Sequence, residues 1–243
     1  MYRFFLSPES IRNGNVLVTG PLVHRLAHVL RIKKGDTITF LDNTGWEYTS
    51  SIQLVGSERI EAEVIDRTLS TREPRLSIKL YQAILKISKF EFVLQKCTEV
   101  GVCEFVPMIS QRCIADEPGK SRCERWHYII IEAAQQSGRG KIPILHPLMT
   151  FGDVCNSIQG TGFLPWEQEK ETSLRSALAS VKNRNKLNEL SFLIGPEGGF
   201  LPEEVDIARR CGIMPISLGR RILRAETAGI IAAATALYEF DEL

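Results

Sequence analysis

The sequence predicts an α/β protein built in two parts, a small β-barrel followed by a mostly parallel sheet with helices on both faces. Three observations predict it. Short strand-like runs separated by Gly and Asn/Asp turns fill the region before about residue 66. From residue 76 strand-like runs alternate with helix-like ones. Near the C-terminus two apolar runs each end in a glycine turn with a helical pattern behind it, at 193–200 and 218–228. The chain has 243 residues, enough for one large or two modest domains.

In the first part, 16–18, 37–41, 47–52 and 60–65 suit strands, the last by strict alternation. Lys34-Gly35-Asp36 and Asp42-Asn43-Thr44-Gly45 are turn signals. One helix fits 21–31, with Pro21 in its first turn. Several short strands at close spacing argue for a barrel over 1–70. A polar linker at 71–75 contains Pro74, which forbids regular continuation. Beyond it, strands at 76–83, 104–109, 142–145, 162–166, 190–194 and 214–218 alternate with helices. Those helices are expected at 86–100 (stopped by Gly101), 120–137, from Phe151, at 173–181, behind 190–194, and at 225–240. Such alternation predicts a parallel sheet over 76–243.

Composition narrows the function. Hydrophobic residues make up 44% and charged residues 24%, ordinary for a folded chain. No run approaches the ~20 apolar residues that span a bilayer, and the apolar stretch at the N-terminus is too short for a secretory signal. The expectation is a cytoplasmic protein with no membrane partner. The six cysteines show no C-x-x-C spacing, so no metal site is expected. A net charge of +1 gives no global attraction to nucleic acid. Locally the balance differs: before Asp36 the only acid is Glu9, against Arg3, Arg12, Arg25, Arg31, Lys33 and Lys34. A solvated face competes with an RNA contact as the explanation. His24, His28 and Arg31 are spaced to share one helix face.

Glycines at the two C-terminal turns let the backbone approach a ligand without an intervening Cβ. Neighbouring strand ends of an α/β sheet are where such ligands bind. The first turn lacks the Lys-Ser/Thr of a phosphate-gripping loop and the G-x-G-x-x-G spacing, and Glu197 would repel phosphate.

Taken together, "IGPEGGF" at 194–200 with "LPEE" behind it, "LGRRILRAETA" at 218–228, "HRLAHVLRIKKGD", "QKCTEVGV" at 95–102 and "IEAAQQSGR" at 131–139 resemble the RsmE-type 16S ribosomal RNA (uracil-N3)-methyltransferases of the SPOUT superfamily. The resemblance spans the chain. It implies a PUA-like RNA-binding barrel over 1–70 and a SPOUT domain over 76–243 whose C-terminal segment forms a trefoil knot. It implies S-adenosyl-L-methionine as methyl donor, 16S ribosomal RNA or the small subunit as substrate, and a homodimer seamed by the Ala-rich last helix, whose alternative use is packing on its own sheet. The implied cofactor pocket takes Leu164, Gly195, Glu197, Gly198, Gly199, Leu218, Gly219, Ile222, Leu223 and Thr227. The implied RNA contacts are Arg3, His24, Arg25, Arg31, Lys33, Arg112 and Arg139. The family often has a second His after His24, where this chain has Arg25.

Transfer to N3 requires its proton to leave or the anion to be stabilised as it forms. Arg224 is the candidate for that stabilisation, with a salt bridge to Glu226 or Glu197 as its alternative role. Glu226 is the nearest candidate base, although a carboxylate at a helix N-terminus is a weakened one. Two further readings stay open: a SPOUT enzyme acting on transfer RNA or a 2′-hydroxyl, and a non-catalytic RNA-binding ribosome-assembly protein.

Overall fold

In a computed structural model, residues 2–182 and 189–243 are described. Residues Met1–Glu73 with Ala134–Ile142 cluster as one unit, and Pro74–Ala133 with Pro143–Leu243 as a second.

Alternation in the first unit produces β1 (Arg3–Phe5), β2 (Ile11–Arg12), β3 (Asn15–Thr19), then α1 (Pro21–His24), β4 (Thr37–Leu41), β5 (Trp46–Val55) and β6 (Arg59–Leu69). The sheet order is β1-β4-β5-β6-β3-β2, antiparallel except where β1 runs parallel to β4. Inward residues Val16, Val18, Ile38, Phe40, Ile52 and Ile60 meet in one cluster, closed by Phe4, Val23 and Leu26. The sheet thus curls round its own core. Its end strands β1 and β2 do not pair with each other, so the expected barrel is an open one. The helix expected to reach residue 31 continues from α1 only as a π-helical turn, Arg25–Val29. Arg31 lies beyond it in the left-handed region, φ 52°, so it does not share a helix face with the two histidines.

The second unit contains β7 (Ser77–Ala83), α2 (Ile87–Val100), β8 (Glu104–Ile109), α3 (Lys120–Ser137), β9 (Ile144–Leu145), β10 (Met149–Thr150), α4 (Phe151–Ser157), β11 (Thr161–Pro165), α5 (Leu174–Lys182), β12 (Glu189–Ile194), α6 (Pro202–Arg210), β13 (Met214–Ile216) and α7 (Ala225–Glu239). All its strand pairs are parallel, in the order β10-β8-β7-β12-β11-β13, with β9 also on β8. The near-continuous apolar run Leu190–Ile194 apart from Ser191 reflects a strand covered on both faces. On α2, Phe90, Val93, Leu94 and Cys97 form the i, i+3, i+4, i+7 stripe that buries it. Phe90 packs on Trp126 with ring centroids 4.3 Å apart. Gly101 at φ 122° ends that helix. Cys155 on α4 is buried in the core on the other side, with Val154, Leu193 and Phe200.

The last helix is apolar nearly all round. Its Ala228, Gly229, Ala232, Ala233 and Ala236 are buried. A Cβ on Gly229 would sit 3.3 Å from Gln82 Oε1 and 3.4 Å from Leu80 Cδ2, so this face lies against β7 of its own sheet. The small residues on this face serve close helix–sheet approach within the chain. β12, β11 and β13 are neighbours, and their C-terminal ends open on one edge of the sheet. The two glycine turns follow the outer two of these three strands.

Candidate active site

That edge holds a cavity of about 960 Å³, lined by the β12 turn (Ile194 to Phe200), the β11 end (Pro165, Trp166, Glu167) and the segment after β13 (Ser217 to Glu226). Its size suits a small-molecule cofactor. Each glycine in the first turn has a separate reason. A Cβ on Gly195 would meet the Phe200 ring at 3.2 Å, and Phe200 is itself buried against Phe151. Gly198 leaves room for the Arg112 side chain, whose Nη1 donates to the Gly198 carbonyl at 2.7 Å. Gly199 takes φ 67° against the Glu167 carboxylate. In the second turn Gly219 takes φ 122° with nothing within 4 Å of its missing Cβ. Its N–H donates to Ser217 Oγ at 3.2 Å, and its carbonyl accepts from the same hydroxyl at 3.3 Å.

Buried Glu204 holds the first turn from behind. Its Oε2 accepts from Leu201 N–H at 2.9 Å and its Oε1 from Gln111 N–H at 3.0 Å, joining the loop after β8 to the exit of the glycine turn. Charges cross the cavity wall through Lys89 of α2, which lies 3.2 Å from Glu197 and 3.6 Å from Glu226. Burial works to raise the Glu197 carboxyl, but hydrogen bonds from its own backbone N–H and from Lys89 outweigh it, and its pKa falls below the ordinary value. Glu226 Oε2 is buried and has no hydrogen-bond partner. Arg224 stands on the rim as the N-cap residue of α7, its side chain 82% exposed, with Nη1 3.9 Å from Glu226. The salt bridge foreseen as its alternative role is thus present, as a loose one.

Of the ten residues expected to hold the cofactor, eight line this cavity. Leu164 does not: it is fully buried in the core beneath the strand end. Thr227, in the first turn of α7, is not part of the lining. Among the expected RNA contacts, Arg3 is committed to a two-pronged ion pair with Glu47, at 2.6 and 2.9 Å. Arg139 has a side chain only 5% exposed and pairs with Glu73 at 2.7 Å. Both guanidinium groups are thus engaged by carboxylates within the first unit. Arg112 is drawn into the glycine turn. Arg25 lies over the Phe4 ring at 5.6 Å, and His24 packs on His28 with centroids 4.8 Å apart. His24, Arg31 and Lys33 are exposed. Sequence reasoning missed Lys89 and Glu204, while Trp166 lies in the strand end 163–167 that the resemblance implies as a pocket wall. Lys89 falls just off the apolar stripe of α2, and its partner Glu197 lies 108 residues away along the chain.

Among the described residues no group of three His, Cys, Asp or Glu is placed to hold a metal ion. No described helix is long and apolar enough to cross a membrane.

A family profile described as an RNA methyltransferase domain matches residues 71–237. The chain is 33% identical to ribosomal RNA small subunit methyltransferase E of Synechocystis, over 96% of this chain and 76% of that protein. The Bacillus subtilis protein of the same name is 29% identical over 100% of this chain and 98% of its own. A crystal structure of ribosomal RNA small subunit methyltransferase E from Neisseria gonorrhoeae, bound to S-adenosyl methionine, superposes with a TM-score of 0.87 at 30% identity, covering 98% of both chains. A parallel sheet with two glycine turns on one edge, and sequence likeness along its whole length, place this chain in the ribosomal RNA small subunit methyltransferase E family of RNA methyltransferases.

Proposed function

We propose that the chain transfers the methyl group of S-adenosylmethionine to N3 of one uridine in 16S ribosomal RNA, in the cytoplasm. The observation that carries this reading is the cavity walled by both glycine turns and rimmed by Arg220, Arg221 and Arg224. The residues present fit the cofactor. Trp166, Leu218, Ile222 and Leu223 offer apolar surface for an adenine. Glu197 and Glu226 offer negative charge to a cation. When bound, S-adenosylmethionine supplies a methyl group on a sulfonium centre.

In this reading the protein's own work is alignment and electrostatics. Arg224 reaches from the rim to a uracil oxygen and stabilises the negative charge that develops as N3 gives its proton to solvent water. Glu226 has Lys89 3.6 Å away and Arg224 3.9 Å away. We therefore assign Glu226 to orienting Arg224 and balancing the cationic cofactor. Basic residues His24, Arg25, Arg31 and Lys33 in the first 70 residues hold RNA, while residues 76–243, knotted as the resemblance implies, carry the transfer. Ile222 (85% exposed), Phe92 (44%) and Ile231 (40%) leave apolar surface on the second unit, and we assign it to a second copy of the chain in a homodimer.

Nucleoside mass spectrometry of 16S ribosomal RNA from a deletion strain tests the reaction. Loss of 3-methyluridine, restored by the wild-type gene and not by Arg224→Ala, is the expected result. An unchanged 3-methyluridine content refutes the uridine assignment, and absence of calorimetric heat with S-adenosylmethionine refutes the cofactor.

A further inference from the structure

Away from the residues already assigned to RNA, the first unit carries a second group of aromatic and basic side chains. Trp46 and Tyr48 lie two apart on β5 and so share one face of the sheet. Across the ladder Tyr48 pairs with Arg67 and Trp46 with Leu69, which puts all four on that face. The Arg67 guanidinium lies 3.9 Å from the centroid of the Trp46 ring and 5.5 Å from that of Tyr48. Tyr48 is pinned from behind, its hydroxyl donating to buried Asp42 at 2.9 Å, and Asp42 is fixed in turn by the N–H and hydroxyl of Thr44. Arg67 and Leu69 are exposed, Leu69 at 59%. Lys141 reaches the same place: a Cβ on Gly45 would meet Lys141 Cε at 3.6 Å and Leu69 Cδ1 at 3.7 Å.

A structural cation–π pair would account for Arg67 over Trp46 alone. It does not account for an outward guanidinium plane that enters no ion pair among the described residues, beside a second cation and an exposed leucine. Two positive charges and a flat, pre-stacked platform complement a nucleic-acid strand whose phosphates are negative and whose bases present π-faces.

We propose that the Trp46–Arg67–Tyr48 face is a stacking subsite for an unpaired base of the RNA substrate, with Lys141 on the adjoining phosphate. The base lies on the open side of the guanidinium and extends the Trp46–Arg67 stack. This inference rests on the reading of the chain as an RNA enzyme and adds a subsite to it.

The test uses the full chain and two single-stranded octaribonucleotides, rA8 and rU8, with tryptophan emission and binding measured over a range of salt. Wild type is expected to show quenched emission on binding, stronger with rA8, and Trp46→Leu to lose that quench. Arg67→Lys keeps the charge and loses the plane, so its affinity should fall about five- to tenfold with the salt slope unchanged. Lys141→Ala should instead reduce the salt slope by about one. Wild-type affinity in both Trp46→Leu and Arg67→Lys, with thermal melting unaltered, overturns the subsite. Should Trp46→Leu fail to fold, Arg67→Lys, an exposed position, decides alone. Binding of S-adenosylmethionine, measured in parallel, separates the two ideas: its loss in wild type refutes the enzyme reading, and its retention alongside insensitive RNA binding refutes only the subsite.

Discussion

Replacing Glu204 by glutamine changes one atom type in a carboxylate that is 2% exposed and receives two backbone N–H groups, from Leu201 and Gln111. Glutamine has one oxygen, so one of those N–H groups faces an NH₂ and is left buried without an acceptor. Losing a charge-assisted bond costs about 1.5–3 kcal/mol, and the surviving bond weakens from charged to neutral. Against this, glutamine avoids the several kcal/mol of desolvation that a buried carboxylate incurs. Two well-placed donors already offset that term, so the unpaired N–H decides the sign. We expect a net loss of about 3 kcal/mol, which for a chain of this size lowers Tm by about 6–12 °C. Because Leu201 follows the glycine turn, S-adenosylmethionine affinity should fall as well. Calorimetric melting and ligand titration of the same preparation provide both readouts. A variant that melts at or above the wild-type temperature with intact ligand affinity would show that desolvation wins and that the carboxylate does not brace the turn.

Three further outcomes are expected. Lys89→Met leaves Glu197 and Glu226 without their shared cation, so binding should shift towards S-adenosylmethionine over its neutral thioether product by about five- to tenfold; an unchanged ratio by calorimetry removes Lys89 from the sulfonium's surroundings. Gly219→Ala meets no neighbour within 4 Å, but its φ of 122° is one an L side chain rarely adopts. Strain of about 1–3 kcal/mol in that turn should weaken cofactor binding roughly tenfold or more while RNA affinity stays put, and full cofactor affinity would discount the strain. The Arg3 hydrogen bond holds the Glu47 carboxyl below its ordinary 4.5 against the effect of burial. A depressed folded pKa means the stabilisation is complete above pH 4.5 and is lost as pH falls through the folded value. Wild type and Glu47→Gln should therefore differ in stability at neutral pH and converge in acid; a constant gap from pH 7 to pH 3 contradicts the assignment.

Much of this arrangement was legible before any coordinates. Periodicity located β4, β8 and α3 to the residue, because each is a run of one pattern bounded by Gly, Pro or a charged turn. The helix expected over 21–31 stops short because the backbone at Arg31 turns left-handed, although apolar spacing continues through Leu30. In the site, glycines were readable since they mark backbone geometry, which is local. Charged groups were not. Arg3, Arg139 and Lys89 each look like solvated cations in sequence, and their carboxylate partners lie 44, 66 and more than 100 residues away. An ion pair between such distant residues exists only once the sheets have formed.

The two thiols enclosed on opposite sides of the parallel sheet have a practical consequence. Burial drives the Cys97 thiol far above its ordinary pKa and the Cys155 thiol up to about 12, so at neutral pH neither supplies thiolate while its surroundings stay closed. Alkylation of these sulfurs must wait for the sheet to part from α2 or α4. Mass-spectrometric timing of their modification, with the four more accessible cysteines as internal standards, would clock how often each side of this domain breathes, and whether cofactor slows one side more than the other.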